Sequence, residues 1–134
     1  MDKEEIRKAL IKYRLESAEE KLKSSKILLD NGQYKDSIGR SYYAIYTSLR
    51  AIMAKDGLEH SKHAGTISDF QKNYIKTQIF DRSYSAYITE AFQIRNSCDY
   101  DDFYIVSKTD AVTQYENAQK LYEAIKCYLN EYVQ

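Results

Sequence analysis

Apolar residues return along this chain at helical intervals from one end to the other. Ile11, Leu15, Ala18, Leu22, Ser25 and Leu29 follow at alternating steps of four and three, drawing one stripe down a long helix over about Lys3 to Asp30. Asn31-Gly32 closes it, because glycine takes the left-handed conformation that a helix end needs. Tyr34, Ile38, Tyr42, Ile45, Leu49 and Ile52 repeat the pattern up to Lys55, and Asp56-Gly57 closes this second helix. It carries another face, Ala44, Ser48 and Ala51, small enough for close approach by a neighbour within a bundle or across a dimer. A shorter helix is predicted from near Thr66, or from a few residues earlier, to Tyr74, with Thr66 and Asp69 in capping-box spacing. A fourth, over about Asp81 to Cys98, stops at the acidic run Asp99-Tyr100-Asp101-Asp102. Ser107 and Asp110 form a capping box for the last helix, which turns Ala111, Tyr115, Ala118, Tyr122, Ile125, Leu129 and Tyr132 inward. The pattern predicts an all-α fold, an up-and-down helical bundle of four long helices plus one short helix, in a single domain spanning 1–134.

Composition narrows what such a bundle does. Twenty acidic and twenty basic side chains cancel, so no global field draws the protein onto nucleic acid or an anionic membrane. The first residues are charged and no apolar run approaches the roughly 18 residues that span a bilayer, so a cytoplasmic protein without a membrane partner is expected. Cys98 and Cys127 sit on different helices without C-x-x-C spacing, which reads as two buried, reduced thiols. His60 and His63 share one loop with no third ligand at metal spacing, so the sequence calls for no metal and no cofactor. One of these histidines is expected to cap or bridge loop backbone, or to face the arginine described next. Fourteen tyrosines against four phenylalanines imply a core edged by polar clefts, or an interface.

The stretch from Phe92 to Asp102 concentrates the chemistry. Tyr84, Ile88, Ala91, Arg95 and Cys98 share one helical face, which sets Arg95 where an apolar residue belongs. An inward guanidinium needs a carboxylate, a carbonyl or a bound anion, and Asp99 one turn on supplies the first. Spacing alone leaves two readings, a helix-end ion pair or a functional arginine at the mouth of the bundle. The second expects a solvent-accessible Arg95 whose removal spares the fold.

Three ordered stretches, Arg40-Ser-Tyr-Tyr-Ala-Ile-Tyr, His63-Ala-Gly-Thr-Ile-Ser-Asp-Phe and Arg95-Asn-Ser-Cys-Asp-Tyr-Asp, resemble the HEPN domain in its small stand-alone prokaryotic form. The resemblance implies a dimeric helical bundle, a toxin paired with an MNT-type nucleotidyltransferase antitoxin, and in many members a metal-independent ribonuclease. The ribonuclease motif is an arginine followed after four to six residues by histidine. Here Arg95 matches, but Tyr100 stands after four intervening residues and no histidine follows His63. Tyrosine, with an ordinary pKa of about 10 against about 6.5 for imidazole, is a poor base near neutral pH. The resemblance therefore yields Arg95, Asp99 and Tyr100 as catalytic candidates and Tyr42, Tyr43, His63 and Asn96 as ligand-binding candidates. Tyr100 and Tyr104 are its candidates for modification by the nucleotidyltransferase. Three readings follow: a structural helical domain whose motif merely ties helix ends together, and two functions, a toxin-like RNA-cleaving protein and a non-catalytic module that binds a nucleotide or the nucleotidyltransferase. Either takes RNA or a nucleotide as ligand and acts as a homodimer.

Overall fold

In the computed structural model, which describes residues 2–134, helix α1 (Lys3–Asp30) starts where Asp2 accepts the backbone N–H of Glu5 at 2.8 Å. It ends as its sequence requires. Gly32 at φ 76° turns the chain, Gln33 N–H reaches back to the Leu28 carbonyl at 2.8 Å, and Gly32 N–H reaches that of Leu29 at 3.2 Å. Helix α2 (Tyr34–Lys55) closes in the same way, with Gly57 at φ 70° and Leu58 N–H on the Met53 carbonyl at 2.9 Å. Helix α3 (His63–Phe70) follows and runs into a π-helical turn (Gln71–Ile75). Helices α4 (Ser83–Tyr100) and α5 (Lys108–Val133) complete the chain. The described residues form no strand, and no helix among them is long and apolar enough to cross a membrane.

Helix α2 is the hub. It packs against α1, α5, α4 and α3, and its Tyr42, Ile45, Leu49 and Ile52 lie in one apolar cluster with Ile11, Leu22, Phe70, Ile88 and Ile125. Every residue of the predicted α1 stripe is buried. A second, smaller cluster gathers Leu29, Ile38, Val106 and Ala111 beneath the α4–α5 loop. Where α1 and α2 cross, the Ser25 hydroxyl bonds that of Ser37 at 3.0 Å and that of Ser41 at 2.7 Å, so small polar residues approach closely without stranding a donor.

Several expectations need correction. Ala44, Ser48 and Ala51 are fully buried inside the bundle, so this face serves the chain's own helix packing and is closed to a second copy. Cys98 is half-buried in the smaller cluster, where burial raises its thiol pKa, but Cys127 is exposed on α5, off the Ile125–Leu129 stripe. Thr66 and Asp69 do not open α3. The helix begins three residues earlier, Thr66 donates back to the Lys62 carbonyl at 3.2 Å, and Asp69 instead pairs with His60. The His60 ring lies directly over Gly65, where a Cβ would stand 2.7 Å from its Nδ1, so glycine is required for that approach. The π turn is tethered by Tyr74, which donates its hydroxyl to Asp56 at the end of α2. Helix α4 also runs past Cys98 to Tyr100. Its Asp99 is held by Arg95 one turn back, and the backbone becomes extended only at Asp101.

Candidate functional site

Arg95 stands near the C-terminal end of α4, facing α2, and its guanidinium is held on three edges. Nη2 donates to the Tyr43 hydroxyl at 2.8 Å, and Nη1 donates to Asn96 Oδ1 at 3.2 Å. Nε lies 2.9 Å from Asp99 Oδ2, close enough for an ion pair, although its N–H points off the line of the carboxylate. The group also sits over two aromatic faces, 5.3 Å from the Tyr42 centroid and 5.4 Å from that of Tyr43. The side chain is only 15% exposed, while that of Asp99 is 45% exposed. Arg95 is therefore a pre-oriented, largely buried cation, turned inward as its spacing indicated and not solvent-accessible as the functional reading expected.

His63, the first residue of α3, closes the other side. Its Nδ1 is 2.7 Å from the Tyr42 hydroxyl, its ring stacks on Tyr46 at 4.0 Å, and Tyr43 meets it edge-on at 5.8 Å. Burial, helped by the charges of Arg95 and Arg50, holds the imidazole below its ordinary pKa, so it is neutral at pH 7. Burial pushes the Tyr42 phenol well above its usual value against the opposing charge of Arg95, so Tyr42 stays protonated. When the imidazole proton sits on Nδ1 and is donated to Tyr42, Nε2 keeps a free lone pair.

The structure thus brings together Arg95, Asp99, Asn96, Tyr42, Tyr43 and His63. It leaves out two of the residues named from sequence. Tyr100 is 75% exposed and makes no side-chain hydrogen bond among the described residues. Tyr104 is no freely exposed loop residue, because its ring packs against the Leu29–Ile38 cluster and burial raises its phenol pKa. Sequence reasoning missed Tyr46 and Phe92. Tyr46 lies one turn after Tyr42 and stacks on His63, and Phe92 is tilted 6.1 Å from Tyr42. Their signal was helical spacing from residues already chosen. No group of three His, Cys, Asp or Glu side chains fit to hold a metal occurs among the described residues.

A family model described as HEPN domain matches residues 11–128. A protein of Methanocaldococcus jannaschii named "Putative toxin MJ0605" is 34% identical over 110 residues, covering 82% of this chain and 77% of that protein. A second protein of that organism, named in the same terms, is 31% identical over 72% of this chain and 66% of its own length. A Thermotoga maritima protein named only as a UPF0332 protein is 26% identical over 87% of this chain and 89% of its own.

Proposed function

Because the chain belongs to the HEPN domain family, we propose that it is a toxin-like protein whose Arg95 cluster binds and cleaves RNA. The observation that carries this reading is the meeting of a rigidly held arginine and a neutral histidine in one aromatic cluster. We take His63 of α3, which contacts Tyr42 and Tyr43 in the same cluster, for the part of the histidine that the motif lacks after Arg95. In the reaction we propose, His63 Nε2 takes the proton of a ribose 2′-hydroxyl. That oxygen then attacks the adjacent phosphorus, and the bond to the 5′-oxygen breaks. The products are a 2′,3′-cyclic phosphate and a 5′-hydroxyl, which takes up a proton as it leaves. Arg95 offers its remaining N–H groups to the phosphoryl oxygens as charge builds on them. Asp99, Asn96 and Tyr43 act through Arg95 as positioning residues. The test is incubation of the purified protein with single-stranded RNA in chelator. Cyclic-phosphate ends that appear with wild type and vanish with Arg95→Lys support the reading, and intact RNA in every sample sinks it.

Asp99 already occupies one edge of Arg95, which favours the second reading, a nucleotide- or nucleotidyltransferase-binding module without cleavage. The two are separated by the same incubation: binding without cleavage selects the module.

We place the homodimer contact on the α4–α5 loop. Phe103 and Ile105 are 97% and 87% exposed there, and Phe103 is held at φ 63°, a conformation a bulky residue adopts only at a cost. An exposed aromatic and aliphatic group of this kind suits a second copy of the same loop, which would set two Arg95 clusters side by side. Phe103→Asp should convert a dimer to a monomer in light scattering, because two carboxylates would face each other across the axis. An unchanged mass would remove this loop from the contact.

Tyr100 carries the modification reading further than Tyr104, since its ring is exposed and lies five residues from Arg95. On co-expression with an MNT-type nucleotidyltransferase, intact-mass analysis should show added nucleotide on the wild type and none on Tyr100→Phe. Modification that persists in Tyr100→Phe would assign it elsewhere.

A further inference from the structure

Beside the Arg95 cluster, α2 borders a hollow of about 440 Å³ walled by Lys35, Gly39, Arg40 and Tyr43, with Asp99 of α4 on its far side. Gly39 is the odd residue in it. A glycine inside a helix weakens the helix relative to alanine, so it calls for a reason. Neither usual reason holds here: its φ is not positive, and a Cβ built on it meets nothing within 4 Å. What the missing side chain leaves is bare helix surface on the floor of the hollow, which atoms of another molecule can approach.

The charges around that floor point to an anion. Lys35 and Arg40 make no ion pair among the described residues. Of the two carboxylates lining the hollow, Asp99 is engaged by Arg95, and Asp36 lies more than 4.0 Å from either cation. Tyr43 joins the two places, because its ring lines the hollow while its hydroxyl accepts from Arg95 Nη2 at 2.8 Å. The hollow is therefore continuous with the cluster described above.

We infer that this hollow seats the nucleotide next to the one held at Arg95 in a single RNA strand. Arg40 and Lys35 take its phosphate, and Gly39 leaves its sugar room against the backbone of α2. The inference rests on the RNA reading proposed above.

Fluorescence anisotropy tests it with a short single-stranded RNA carrying 2′-fluoro groups throughout, which lacks the attacking hydroxyl. Gly39→Leu should weaken binding by at least about tenfold while the thermal midpoint stays level or rises, since leucine is the better helix former. Arg40→Gln and Lys35→Gln together should make log affinity fall less steeply with log salt, by about 0.7 for one neutralised phosphate on a single strand. If wild type fails to bind the strand, the RNA reading and this inference fall together. If wild type binds, Arg95→Lys weakens it and Gly39→Leu does not, the hollow alone is overturned. Binding of AMP that Gly39→Leu abolishes, without binding of the strand, would replace the strand with a free nucleotide.

Discussion

Arg95→Lys should reduce RNA cleavage by at least about a hundredfold and leave the thermal midpoint within a few degrees of wild type. The two effects separate because the substitution keeps the charge and removes the geometry. Three partners, Tyr43, Asn96 and Asp99, hold three different nitrogens of one planar group. A lysine ammonium satisfies Asp99 but cannot span all three, and it presents no fixed pair of N–H groups to a phosphate. Arg95→Ala is the less informative variant. The side chain is 15% exposed and lies over Tyr42 and Tyr43, so truncation removes packing and leaves the Tyr43 hydroxyl and Asn96 without a partner. Asp99, at 45% exposure, regains water, which keeps the loss nearer 1–2 kcal/mol than the roughly 3–5 kcal/mol of a fully buried broken pair. Lysine at full activity would show that Arg95 supplies only charge, and a collapsed midpoint in the lysine variant would make the guanidinium a structural bridge.

The parts of the molecule written in local sequence were the easiest to read. Asn31-Gly32 and Asp56-Gly57 became the two left-handed helix ends, and Ser107 with Asp110 became the capping box of α5, because each depends on residues within a few positions of one another. Arg95 and Asp99 were legible for the same reason, four apart on one helix. The start of α3 was not, since Thr66 and Asp69 satisfy the capping pattern but Asp69 is taken by His60 from outside the helix. The face of Ala44, Ser48 and Ala51 shows a deeper limit. Small residues permit close approach, and spacing does not say whether the helix that approaches belongs to the same chain. Buried Arg14 went unremarked because its partners, the Arg50 carbonyl at 2.9 Å and Glu59 at 2.7 Å, lie far along the chain. The contact of Tyr43 with Arg95, across 52 positions, was visible only through the order of motifs.

His63 reaches the cluster by that same long-range route, and its replacement should have the second large effect. His63→Ala is expected to lower cleavage by about 10²- to 10⁴-fold, the usual contribution of a placed general base, and to abolish the acid limb of the pH profile. Burial first, and then the charges of Arg95 and Arg50, depress the imidazole pKa. Wild-type activity should therefore climb with pH through a value below about 6.5 and be level at pH 7, where the base is already neutral. Stability should share this dependence. Folded His63 binds its proton less readily than the unfolded chain does, so the contribution of the neutral ring is complete above the unfolded pKa and drains as pH falls through the folded one. His63→Gln should remove that acid-side loss, because glutamine does not titrate, while keeping a polar group opposite the Tyr42 hydroxyl. A glutamine variant that still cleaves with an unshifted acid limb would mean that another group takes the proton. Asp99, already in the cluster and 2.9 Å from Arg95, would then be the residue to replace next.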